Sequence, residues 1–149
     1  LPILEIDKKF ITAPIIMTYP ASPHLAAKID NCNIDLSKIE KSQEALYKEY
    51  DIILMEGAGG LMVPITEDYL TIDYIKDRNI PMALVTNGQL GSINHTLLSL
   101  EAIKNRNIKL KYVIYNSFFD EDKTIAKETL KYLENKIKND FEDSSFLVM

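Results

Sequence analysis

From residue 51 onward, short apolar runs alternate with helix-patterned stretches, and the first two runs lead straight into glycine. Asp51–Met55, Pro81–Thr86 and Leu110–Tyr115 read as buried strands, and Ser145–Met149 as the beginning of a fourth. Between them, Asp68–Arg78, Ser92–Asn105 and Glu121–Lys138 read as helices, with Ser92 as a plausible N-cap. Alternation of this kind demands parallel strands joined by right-handed crossovers. All five glycines fall in two motifs, Met55-Glu56-Gly57-Ala58-Gly59-Gly60 and Gly88-Gln89-Leu90-Gly91-Ser92-Ile93-Asn94-His95. Open parallel sheets bind ligands at the carboxyl ends of their strands, so both motifs are expected to line one crevice.

Upstream the pattern is weaker. Pro2, Pro14 and Pro20 make residues 1–20 irregular or edge structure. A short helix is expected to enter at Pro23. Asp35–Tyr50 is an amphipathic helix with Leu36, Ile39, Leu46, Tyr47 and Tyr50 on its apolar face, and Ser37 and Glu40 form a possible capping box. The length of 149 residues predicts one domain. The start at Leu1 is not an initiator methionine, so the chain is expected to begin inside something longer or to be processed.

Composition excludes more than it identifies. A net charge of −5 gives no basic footprint for duplex nucleic acid. No apolar stretch approaches the ~18–20 residues of a membrane span. The single Cys32 rules out an internal disulfide and suits a reducing cytoplasm. Anions can still bind, because helix N-termini and backbone amides need no net positive charge.

At the end of the first expected strand, Glu56 brings a carboxylate to the sheet edge. The glycines after it allow a phosphate or a metal-bound water to approach the backbone. A strand-end acid is also how P-loop ATPases hold Mg²⁺ near phosphates. The bland alternative is a tight turn with a solvated glutamate. The second motif opens a helix near Ser92, whose first-turn N–H groups lack intrahelical partners and suit a carboxylate or phosphate; the alternative is an ordinary glycine loop. His95 and His24 are candidate acid–base groups, although histidines so placed more often pack or face solvent. Asn116 ends the third strand with an amide able to read a base edge, or simply to make a turn. The phosphate-binding run Gly-x-x-x-x-Gly-Lys-Ser/Thr is not in these 149 residues.

Three segments occurring in order resemble dethiobiotin synthetases: Pro20-Ala21-Ser22-Pro23-His24-Leu25-Ala26-Ala27, Glu56-Gly57-Ala58-Gly59-Gly60-Leu61-Met62-Val63-Pro64, and Leu90-Gly91-Ser92-Ile93-Asn94-His95-Thr96-Leu97-Leu98-Ser99. The resemblance implies a P-loop NTPase-like α/β three-layer sandwich with a mainly parallel sheet, incomplete at its N-terminus. It implies a single partial domain over residues 1–149. It implies ATP and Mg²⁺ as cofactors, a cytoplasmic homodimer, and the small-molecule substrates diaminopelargonic acid and CO₂, closed to dethiobiotin through a carbamate and its phosphorylated form.

By position, the resemblance makes Glu56 the Mg²⁺ ligand, and Glu56, Gly57, Ala58, Gly59, Asn116 and Ser117 the ATP contacts. Leu90, Gly91, Ser92, Ile93 and Asn94 would grip the substrate carboxylate across the dimer interface, with Ser22 and Pro23 near the substrate amines. The chain departs from the family in lacking the P-loop and the lysines around it. Two other readings follow from that departure. One is a catalytically dead ligand-binding or regulatory relative. The other is a different P-loop amidoligase, such as a cobyrinic-acid amidase-like enzyme.

Overall fold

The computed structural model describes residues 12–149. The part of the irregular stretch expected at residues 1–11 lies outside the described residues. Two compact units divide the chain, one running to Thr71 and the other from Ile72 to Met149. No helix among the described residues is long and apolar enough to cross a membrane.

The first unit holds α1 (Pro23–Ile29), α2 (Leu36–Tyr47) and an antiparallel pair, β1 (Pro64–Thr66) with β2 (Tyr69–Leu70). Pro23 opens α1, where its missing N–H costs nothing; α1 packs against β1, and its Ala26 and Ala27 are buried. α2 is capped by Asp35, whose carboxylate accepts from the Ser37 amide, so the capping-box reading of Ser37 and Glu40 is corrected. Its expected apolar face is also only partly sheltered, since Tyr47 and Tyr50 are exposed.

Asp51–Met55 is a larger correction: it forms no strand. Ile52 is 80% exposed and Leu54 92%. A buried strand needs a ladder for its N–H and C=O groups, and the described residues provide none for this segment.

The second unit follows the sequence pattern more closely. The helix expected at Asp68–Arg78 is shorter, because Tyr69 and Leu70 pair as β2 and α3 spans Thr71–Asp77. Then come β3 (Met82–Asn87), α4 (Ser92–Asn105), β4 (Leu110–Asn116), a 3₁₀ turn (Ser117–Phe119), α5 (Lys123–Asp140) and β5 (Ser145–Val148). The sheet order is β3-β4-β5, all parallel. Both crossovers step the same way, so right-handed connections put α4 and α5 on one face. That face carries Thr86, Val113 and Tyr115, all buried, under Leu100 and Ile103 of α4 and Leu133 and Ile137 of α5.

Three helices end without glycine. Asn31, Asn79 and Asn107 each take a positive φ, 49°, 50° and 54°, just past α1, α3 and α4. Asparagine is the side chain that best tolerates this left-handed stop.

Candidate functional site

Register places Asn87 opposite Asn116, so β3 and β4 end side by side at the carboxyl edge. The turn after β3 carries Leu90, Gly91, Ser92, Ile93 and Asn94; the turn after β4 carries Asn116 and Ser117. The second unit therefore brings these two sets of predicted residues to one edge. The first unit carries the others: Ser22 and Pro23 at the start of α1, and Glu56, Gly57, Ala58 and Gly59 in an exposed irregular segment.

The β3–α4 turn is built from the backbone outward. Asn87 accepts the Gln89 amide on its side-chain oxygen at 3.0 Å. Gly91 then adopts φ 96°, ψ −15°, and the helix begins at Ser92. Gly91, not Ser92, is thus the N-cap; a Cβ at φ 96° would be strained, so glycine holds the position. Ser92 becomes the first helical residue, and its hydroxyl is buried without a hydrogen-bond partner among the described residues. The amides of Ile93 and Asn94 have no carbonyl a turn earlier inside the helix. A second device fixes this first turn: Thr96 donates its hydroxyl to the Ser92 carbonyl at 2.7 Å and so accepts from Thr86 on β3 at 2.6 Å.

Beside it lies a cavity of about 300 Å³ lined by Thr86, Leu90, Ser92, His95, Thr96 and Ser99. Two N–H groups, one unpartnered hydroxyl and the positive end of α4 make this a place for a carboxylate or another small anion. His95 is exposed one turn into α4.

Asn116 has a local duty. Its side-chain oxygen accepts the Phe118 amide at 3.0 Å and starts the 3₁₀ turn, which leaves its amide nitrogen to donate elsewhere. The Ser117 hydroxyl and amide both reach the Met149 carbonyl.

In the first unit, Glu56 is exposed, and Gly60 starts a turn by accepting the Val63 amide at 3.1 Å. A hydrated carboxylate of this kind suits Mg²⁺, which keeps several waters and takes few protein oxygens. Among the described residues no group of three His, Cys, Asp or Glu side chains could hold a metal by itself. His24 lines a separate depression of about 460 Å³ with Lys28, Cys32 and Glu67, and its Nδ1 is buried without a partner among the described residues.

Sequence reading overlooked the packing behind these turns. Tyr115 is fully buried and donates its hydroxyl to Asp120 at 2.9 Å, with the Ala126 carbonyl at 3.2 Å. Burial first, then the hydrogen bond to Asp120 and its charge, push this phenol up to about 12. A tyrosine just before the strand-end Asn116, with an acid five residues after that tyrosine, is the available signal.

A parallel α/β sheet with the turns after β3 and β4 side by side on its carboxyl edge defines the class of open-sheet α/β proteins, and the family described as an AAA domain matches residues 4–139. The chain is 48% identical over 143 residues to the ATP-dependent dethiobiotin synthetase BioD 2 of Haemophilus ducreyi, covering 96% of this chain and 68% of that protein. It is 43% identical over 145 residues to the protein of the same name from Pasteurella multocida, covering 97% and 68%. Against the ATP-dependent dethiobiotin synthetase BioD of Chlorobaculum tepidum it is 42% identical over 134 residues, covering 90% and 56%. The chain belongs to the dethiobiotin synthetase family, with its P-loop NTPase type of α/β fold. It spans from just over half to about two thirds of the length of these relatives.

Proposed function

We propose that the full-length protein carrying this chain is an ATP-dependent dethiobiotin synthetase, a ligase of biotin biosynthesis, with residues 1–149 as one partial domain of it. Its substrates are 7,8-diaminopelargonic acid, CO₂ and ATP. One amine adds to CO₂ and loses a proton to give a carbamate. The carbamate oxygen takes the γ-phosphoryl group, releasing ADP. The second amine then attacks the carbamoyl carbon, closes the ring and expels phosphate.

The roles proposed for this chain's residues are those the family resemblance implies, and the geometry at the start of α4 supports the carboxylate grip. The amides of Ile93 and Asn94 and the Ser92 hydroxyl hold the substrate carboxylate, with Leu90 and Gly91 shaping the turn. This grip serves the neighbouring copy of a cytoplasmic homodimer. Ser22 and Pro23 face the amines. Asn116 and Ser117 hold the base of ATP, and Gly57, Ala58 and Gly59 let its phosphates approach the backbone. Glu56 is the ligand for Mg²⁺, which when bound neutralises charge on the phosphates.

The observation that carries this reading is the start of α4: a helix N-terminus with a buried, unpartnered hydroxyl, beside the strand end that bears Asn116. The test is product stoichiometry. Full-length protein given Mg-ATP, bicarbonate and diaminopelargonate is expected to release ADP and dethiobiotin in equal amounts. Ligand binding without ADP release would favour the binding or regulatory reading instead.

A further inference from the structure

Gly88 is buried between the two turns of the candidate site. A Cβ there would stand 2.2 Å from the Tyr115 hydroxyl, 2.2 Å from Asp120 Oδ1 and 3.1 Å from the Ala126 Cα. Real side chains do not approach so closely, so the hydroxyl–carboxylate pair fills the space a side chain would need. Gly88 sits just before the Leu90–Asn94 turn. Tyr115 sits just before Asn116, and Asp120 follows the 3₁₀ turn of Ser117–Phe119. The contact thus joins the root of one ligand turn to both ends of the other.

We propose that Tyr115 is a positioning residue: its hydroxyl, bonded to Asp120 and seated against the bare backbone of Gly88, sets the spacing between the base-holding turn and the carboxylate-holding turn. This rests on the functional reading above. Tyr115 touches neither ligand in that reading; it acts through Asn116 and through the backbone at Gly88. A fully buried phenol could satisfy its hydroxyl on the Ala126 carbonyl alone. The bond to Asp120 is the part that reaches the 3₁₀ turn.

Steady-state kinetics of the full-length protein test the proposal. Tyr115→Phe is expected to raise the KM values for ATP and for diaminopelargonate together, each about three- to tenfold, with kcat within about twofold. A purely structural role would lower the amount of active enzyme and hence kcat, leaving both KM values alone. Gly88→Ala supplies the second arm. Part of its clash falls on the Tyr115 hydroxyl, beside Asp120 Oδ1 and the Ala126 backbone, so removing the hydroxyl should relieve that part. Gly88→Ala is therefore expected to cost less in the Tyr115→Phe background than in the wild type. If Gly88→Ala alone fails to fold, a double variant that folds is the same rescue. If both fail, Tyr115→Phe alone decides.

Unchanged KM values in Tyr115→Phe overturn the proposal, as does an equal cost of Gly88→Ala in both backgrounds. A wild type that binds ATP but never turns over diaminopelargonate overturns the functional reading and this proposal together. A working wild type with unaffected variants overturns this proposal alone.

Discussion

Gly88 is packed against Tyr115, Asp120 and Ala126, whereas Gly57, Gly59 and Gly60 all lie exposed to solvent. Both motifs follow an apolar run, and both are proposed to meet ligands. The Gly88–Asn94 turn is held by interactions internal to its own unit: the Asn87 side chain, the Thr86–Thr96 hydroxyl pair and the Tyr115–Asp120 bond. Its amides point where they do before any ligand arrives. The Glu56–Gly60 segment has fewer such supports among the described residues, and its carboxylate is exposed. In the proposed reading, one turn is preorganised for a carboxylate and the other displays a carboxylate for a hydrated cation. Preorganised donors do most for binding and charge stabilisation because nothing need reorganise when charge appears.

The largest expected effect breaks the comparison from the exposed side. Glu56→Gln in the full-length protein should lower Mg²⁺-dependent turnover by about 100-fold or more, with the thermal midpoint unchanged because the side chain is exposed. Unchanged turnover would remove Glu56 from the metal site. The next effect sharpens the buried side. The Tyr115 phenol is held up to about 12, against about 10 in an unfolded chain. The folded state keeps this proton while the unfolded state loses it. The stability it supports is complete below about pH 10, falls as pH rises toward 12, and is gone above, a total on the order of 1–2 kcal/mol after solvent screening. Urea unfolding in pH steps should show this decline in the wild type and not in Tyr115→Phe. Parallel curves would assign the titration to another group.

The same contrast explains how much was legible in the sequence. β3, α4, β4, α5 and β5 are local patterns: apolar runs of strand length and helical spacing such as Ala126, Leu133 and Ile137 on one buried face. Their order alone fixes the parallel topology. Asp51–Met55 has the same apolar pattern yet forms no strand, because a strand is stabilised by a neighbour's ladder and not by its own residues. Helix ends were harder. Asn31, Asn79 and Asn107 stop helices in the left-handed region, where glycine is the usual sign. The cap of α4 stands at Gly91, one residue before Ser92, the better capping residue type. The crowding at Gly88 could not be read at all: it depends on Tyr115 and Asp120, distant in sequence and brought near only by the β3–β4 register.

The smallest effects separate backbone from packing. Gly91 and Gly60 both have nothing within 4 Å of an added Cβ, so neither alanine clashes. They differ in φ: Gly91 stands at 96°, and Gly60 is not in the left-handed region. Gly91→Ala should therefore cost about 1–2 kcal/mol through strain alone, while Gly60→Ala should stay within about 0.5 kcal/mol of wild type. Urea unfolding measures both. Relief of the strain by unwinding the first turn of α4 would also turn the Ile93 and Asn94 amides, so Gly91→Ala should raise the KM for diaminopelargonate more than that for ATP. Equal stability costs at the two glycines would mean that the preorganisation of the β3–α4 turn does not lie in the Gly91 backbone, and would leave the Asn87–Gln89, Thr86–Thr96 and Tyr115–Asp120 contacts as its support.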